Sequence, residues 1–353
     1  MHILPISPIP IESWAFYFSN IFFFYCHSRE LLVFLPKLPI FCEKTLKSKH
    51  RFSNFYVVQM TQALEKMVAQ LSLKPVTTDI YLGESTDLFG SGRIFGGQVL
   101  GQALMASSLT VVPEREIHSL HSYFIRPGDV NTPIRFEVER VRDGGSFSNR
   151  RVVAYQNEKH IFTMATSYQT PEQGFEHQDP MPDLEGPDNF LNEAQFVKKL
   201  EHILPKSLIK RHLIDGDAIE IRTAHPDRFL KGGEFPAKTY YWFRANGTLD
   251  PDNQLLHKAT LAYLSDFYFI FTSLFPHQQS CIDPKLQVAS LDHAIWYHRP
   301  INLNEWNVYV IESPNALGGR GLCFGKVYNQ QGQLLASTAQ EGLIRNTSRF
   351  RNA

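Results

Sequence analysis

The chain has 353 residues, 43% hydrophobic and 20% charged, enough to bury a large core as two domains or one duplicated one. Lys plus Arg and Asp plus Glu both number 35, which excludes the basic excess that a nucleic-acid or anionic-membrane partner demands; any phosphate binding has to be local. The four cysteines, Cys26, Cys42, Cys281 and Cys323, show neither CxxC nor Cys/His ligand spacing, so we expect a reduced compartment, no structural metal and no cofactor.

Residues 1–59 form an atypical extension. Its apolar runs, Trp14 to Cys26 and Leu31 to Cys42, are closed by Asn20, His27, Arg29, Glu30, Pro36 and Pro39, and both fall short of the roughly 20 apolar residues of a membrane span. Apart from His2 the first basic residue is Arg29, which does not fit a secretory signal. We therefore expect no stable membrane anchor, a cytoplasmic protein, and Met60 as the natural start, with an anchor in residues 1–59 as the alternative. The C-terminal Arg-Asn-Ala is not of the Ser-Lys-Leu type. From Met60 the pattern becomes amphipathic, with Leu64, Met67, Val68 and Leu71 on one helical face.

Two stretches then echo each other. FGGQVLGQALMASS at 95–108 is a helix candidate, apolar or small nearly all round, followed by HSLHSYFIRPGD at 118–129 and a strand-rich run from Gly144-Gly145 through a turn at Asn157. Pro171 to about Lys238 reads as linker and lead-in. LHKATLAYLSDFYFIFTSLF at 256–275 is the second apolar helical run, followed by ASLDHAIWYHRPIN at 289–302 and by Gly318-Gly319 and the turn Gln330-Gln331-Gly332. Laying Arg126-Pro127 on Arg299-Pro300 nearly superposes both later landmarks, so the chain reads as a repeat. The fold class is α+β, with two units each wrapping an antiparallel sheet around a buried helix. The divisions are 1–59, 60–170, 171–238, 239–346 and a tail at 347–353.

Asp266 is the one formally charged residue between Ala259 and Pro276, set among Tyr263, Leu264, Phe267, Phe269, Ile270 and Phe271. Desolvating a carboxylate costs several kcal/mol, so the site must supply hydrogen bonds or raise the pKa, and either outcome suits a catalytic group. The alternative assigns Ser265 or Asp266 as the cap of a helix beginning there.

FGGQVLGQAL, HSYFIRPGD, GGSFSNRRV, LAYLSDF, ASLDHAIWYHRP, NLNEW and LLASTAQEG resemble, in order, the motifs of acyl-CoA thioesterase II, over Met60 to about Asn346. The resemblance implies a double hotdog fold, an acyl-CoA substrate, a homo-oligomer, and a water-orienting triad of Asp266, Ser290 and Gln340. Ser290 stands where bacterial members often carry Thr. The residue types suit the chemistry: a thioester is already activated, and its hydrolysis needs a positioned water, a base and an oxyanion donor. Gly96 and Gly97 either let backbone approach a ligand at a helix N-terminus or serve helix packing. Gly318, Gly319 and Gly321 fit a turn rather than a phosphate loop. In Asp292-His293 the side chains point to opposite faces, which makes His293 a packing or positioning residue. Arg150 and Arg151 also diverge, one toward a coenzyme A phosphate and the other toward an acid. The first repeat lacks an acid equivalent to Asp266, with Thr166 or Ser167 at the Gln340 position, so one site per chain is expected. The rivals are a hotdog enoyl-CoA hydratase or dehydratase and a non-catalytic acyl-CoA-binding protein; a serine hydrolase is excluded by the absence of GxSxG.

Overall fold

A computed structural model describes residues 60–347, except Lys231. The extension and the last residues of the tail lie outside the described residues.

The helix read from Leu64, Met67, Val68 and Leu71 is α1 (Gln62–Leu71), N-capped by the Thr61 hydroxyl, which accepts from the Leu64 amide. Leu64, Met67 and Leu71 are buried and Val68 packs beside them. The strands of the first half are β1 (Lys74–Thr77), β2 (Ile80–Gly83), β3 (Glu116–Phe124), β4 (Ile134–Asp143), β5 (Phe147–Gln156) and β6 (Lys159–Gln169). Between β2 and β3 runs α2 (Gly96–Ser108), with ten of its 13 residues buried, as an all-round apolar sequence requires. Full burial of Val99, Leu100 and Leu104 contributes roughly 1.5–3 kcal/mol each.

The second half repeats the plan with β7 (Ile219–Thr223), β8 (Lys238–Ala245), β9 (Leu286–Ser290), β10 (Asp292–Tyr297), β11 (Asn307–Leu317), β12 (Arg320–Asn329) and β13 (Leu334–Asn346). The stretch leading into the second half also holds helices: α3 (Glu193–Lys199) and α4 (Lys206–Lys210) before β7, and α5 (Asp227–Leu230) between β7 and β8. The second buried helix, α6 (Gln254–Ser265), stops at Asp266 instead of continuing through the apolar run; a separate 3-10 turn follows at Ile270–His277.

All 13 strands join in one antiparallel sheet, β1-β2-β4-β5-β6-β3-β10-β13-β12-β11-β8-β7, with β9 also on β13. The order is mirrored about the β3–β10 pair, so two curled sheets meet edge to edge and the mirror relates β6 to β13 and β5 to β12. This is the double hotdog. The hairpin turns fall where turn residues stand: Asn157 and Glu158 both have positive φ, as do Gly318, Gly319 and Gly332.

The buried helices lie side by side and antiparallel, because the start of α2 meets the end of α6. A Cβ on Gly97 would lie 2.0 Å from the Tyr263 carbonyl oxygen, a contact that only glycine permits. The β9–β10 course carries a bulge. Ser290 pairs with Gly342 and Ala294 with Ala339, so four steps on one side match three on β13, and Leu291 is the extra residue region, its amide donating to the Glu341 carbonyl.

Candidate active site

The bulge matters because residues three apart in a regular strand face opposite sides of a sheet. With one residue inserted, Ser290 and His293 both turn inward, toward the end of α6. Asp266 sits there as the residue after the last helical turn, held among Phe267, Tyr263 and Ile270. It begins no helix, so the cap assigned to a helix starting at Ser265 or Asp266 does not exist. Its carboxylate instead lies at the N-terminus of α2 in the other repeat, near enough to the Gly97 backbone amide for that amide to favour its ionised form. That terminus has no cap of its own, since Phe95 precedes it and offers no oxygen, and its partial positive charge favours an anion.

The three residues separated by up to 74 positions converge on one atom. Ser290 Oγ donates to Asp266 Oδ1 at 3.0 Å and Gln340 Nε2 donates to the same oxygen at 2.9 Å. Gln340 Nε2 also lies 2.5 Å from Ser290 Oγ. Asp266 Oδ2 lies beside Gly96, where a Cβ would come within 2.6 Å of it. Gly96, Asp266 and Ser290 line a cavity of about 460 Å3, whose lining also includes Ser91, Arg93 and Arg126.

Behind the triad stands a chain of hydrogen bonds that fixes Gln340. Its Oε1 can only accept, so the proton between it and His293 Nδ1, 2.9 Å away, belongs to the histidine. His293 Nε2 lies 2.9 Å from the Ser265 hydroxyl, which also donates to the Ala262 carbonyl at 2.8 Å. Burial pushes His293 down to about 4, which keeps it neutral at physiological pH. This order points the Gln340 NH2 at Asp266. Burial pushes Asp266 up to about 6, against the opposing pull of its bonds from Gln340 and Ser290 and of the Gly97 amide. A carboxylate in that range is ionised at pH 7 yet basic enough to take a proton from water.

Arg150 and Arg151 do not reach this cavity. Arg150 is buried against Thr110 and donates through Nη2 to both carboxylate oxygens of Asp143, and Arg151 lies 3.4 Å from Glu139. Both therefore pair with acids, and the arginines bordering the cavity are Arg93 and Arg126. At the mirrored place in the first repeat, Thr166 Oγ1 is 2.6 Å from the Ser107 hydroxyl, which also receives the Tyr168 hydroxyl. Hydroxyls fill that position among the described residues.

Residues 209–343 match the family described as acyl-CoA thioesterase, and residues 86–169 match the acyl-CoA thioesterase N-terminal domain. The chain is 41% identical over 286 residues to acyl-CoA thioesterase 2 of Haemophilus influenzae, an alignment spanning 81% of this chain and 99% of that protein. The chain belongs to the acyl-CoA thioesterase family. It is also 36% identical over 286 residues to mouse acyl-coenzyme A thioesterase 8, covering 78% of this chain and 87% of the relative. Among solved structures, acyl-CoA thioesterase II TesB2 of Mycobacterium marinum is similar, with 37% identity, a TM-score of 0.63 and coverage of 81% and 98%. In this thioesterase the signals that residue-by-residue reading passed over are the contact of the Ser265 hydroxyl with His293, the bulge at Leu291, and the placing of Gly97 against the acid of the opposite repeat.

Proposed function

We propose that this thioesterase hydrolyses fatty acyl-CoA to a free fatty acid and coenzyme A by direct attack of one water. The observation that carries the reading is the convergence of Ser290 and Gln340 on Asp266 Oδ1, with Oδ2 left beside Gly96 at the cavity. Asp266 takes a proton from the water, and the oxygen bonds to the thioester carbonyl carbon. Ser290 and Gln340, bonded to Oδ1, hold the carboxylate so that Oδ2 meets the water, and the amide of Gly96 at the start of α2 faces the developing oxyanion. The C–S bond then breaks, and the proton on Asp266 passes to the departing coenzyme A thiolate. Arg93 and Arg126 lie where the phosphates of coenzyme A enter.

A single turnover in 18O-labelled water tests direct attack. One labelled oxygen in the fatty acid and none in Asp266 is the expected result. Label in the Asp266 carboxyl means an acyl-aspartyl anhydride, and the mechanism fails.

The reading extends to one working site per chain, since Ser107 and Thr166 supply no base. It also extends to a homo-oligomer, supported by the exposed Tyr123, Trp296 and Phe324 on the outer side of the sheet; sedimentation across a wide concentration range checks it, and a monomer throughout refutes it. Among the described residues no helix is long and apolar enough to cross a membrane. We assign the chain to the cytoplasm, consistent with free Cys281 and Cys323, and cell fractionation is the check.

A further inference from the structure

The catalytic cavity ends against a wall of Phe89, Tyr268 and Phe271, and a second cavity of about 300 Å3 begins on the far side of those residues. Val197, Leu204, Leu208, Pro226, Phe229 and Ile282 give that second space a mainly apolar lining, with Glu193, Arg211 and His212 also at its wall. Arg93 and Arg126 line the first cavity and not the second, so a ligand crossing both meets those two exposed cations only in the first, while the charged groups at the wall of the second, Glu193, Arg211 and His212, are gathered around the Tyr268 hydroxyl.

The wall is held in an unusual way. Tyr268 has φ 59°, the left-handed region that a bulky side chain seldom occupies, and such outliers persist only where their surroundings impose them. Its hydroxyl donates to Glu193 on α3. Glu193 belongs to a compact group with His212 and Asp217, and the Arg211 guanidinium beside it lies 4.6 Å from the Phe89 ring centre and 4.9 Å from that of Phe267. The side chain dividing the two cavities is thus tethered at both ends: its backbone follows directly from Phe267 and Asp266, and its hydroxyl is fastened to the inter-repeat segment.

We propose that the second cavity is the distal compartment of the acyl-chain site, and that Tyr268 is the partition that decides which chains reach it. The inference rests on the thioesterase reading. Short acyl groups end in the first cavity. Long ones displace the Tyr268 ring and bury their terminal methylenes among Leu204, Leu208 and Phe229, each buried methylene adding to the apolar transfer that favours them.

The test compares kcat/KM for palmitoyl-CoA and hexanoyl-CoA in the full chain. Leu208→Trp fills the distal cavity, and Ile282→Trp does so from its exposed rim, where a larger ring is easier to accommodate. Tyr268→Gly removes the partition while keeping a residue suited to positive φ. Either Trp variant should lower the palmitoyl-to-hexanoyl ratio by about ten-fold or more, the loss expected when several methylenes are displaced. Tyr268→Gly should raise that ratio about three-fold or more, since opening the wall selectively favours long chains. Folded variants that hydrolyse hexanoyl-CoA with the wild-type ratio overturn the compartment. A wild-type chain that hydrolyses neither thioester instead overturns the thioesterase reading on which it rests.

Discussion

His293 Nδ1 and Gln340 Oε1 stand 2.9 Å apart, and this contact dictates which end of the Gln340 amide faces Asp266. Reverse the amide and an oxygen lone pair confronts the carboxylate, so the histidine acts on the acid through the glutamine. His293→Ala removes the constraint and with it part of the hydrogen bonding that holds the Asp266 pKa down. We expect kcat to fall about ten-fold with KM little changed, and the acidic limb of the kcat/KM profile to move to higher pH. A profile that drops in height without moving would make His293 a packing residue.

Stability carries a separate signature of the buried acid. Asp266 has a folded pKa of about 6, above its ordinary value of 3.8, so the native state binds more protons than the unfolded state between those limits. Stability from this group is present below about pH 4 and lost as pH rises through about 6. His293, held down at about 4, works in the opposite sense: its contribution is lost as pH falls through that value. Asp266→Asn deletes the first effect alone. It should unfold at a higher temperature than wild type at pH 7, by the equivalent of roughly 1–3 kcal/mol, with the difference vanishing near pH 4. Thermal unfolding across that range is the measurement, and an equal or lower Tm at pH 7 contradicts it.

The two adjacent glycines at the start of α2 should fail differently. Gly96→Ala brings a methyl within 2.6 Å of Asp266 Oδ2 and 3.1 Å of the Phe124 ring, at the edge of the cavity. Gly97→Ala drives a methyl into the Tyr263 carbonyl at 2.0 Å, between two buried helices that cannot part. Gly97→Ala should therefore cost stability, about 3 kcal/mol or more, whereas Gly96→Ala should cost activity with stability changed by about 1 kcal/mol. Denaturant titrations beside thiol-release rates separate them; identical losses in both properties would refute the distinction.

Ser290 and Gln340 share one carboxylate oxygen, so their contributions should not add. Ser290→Ala and Gln340→Ala are each expected to lower kcat about 10- to 100-fold, and the double variant to fall short of the product. Strict multiplicativity would mean that the two act on different steps.

Much of the architecture was readable from residue patterns because it depends on periodicity and turn chemistry. The all-round apolar run at 96–108 forces a buried helix, and the matching spacings around Arg126 and Arg299 announce a repeat. Asp266 stood out because a lone carboxylate in an aromatic run demands compensation. Its compensation was less visible. Helix α6 stops at Asp266 although the apolar pattern continues, because the chain turns there through Tyr268 at positive φ, and no local signal marks a tyrosine for that conformation. The bulge at Leu291 is a property of pairing with β13 and cannot be read from one strand. The contact of Gly97 with Asp266 crosses between repeats, and short-range reasoning sees each half alone. Ser290 and Gln340 carried no signal of their own; only the likeness of their surrounding motifs to a family picked them out.

The central claim is that Asp266 is the base. Thiol release from a saturated acyl-CoA by purified, folded Asp266→Asn, measured beside wild type, tests it most directly, because the amide keeps the shape of the side chain and removes the proton acceptor. The expected result is a fall in kcat of about 100- to 10,000-fold with folding retained. A folded Asp266→Asn enzyme turning over near the wild-type rate would contradict it and leave Asp266 as no more than an external cap on the N-terminus of α2.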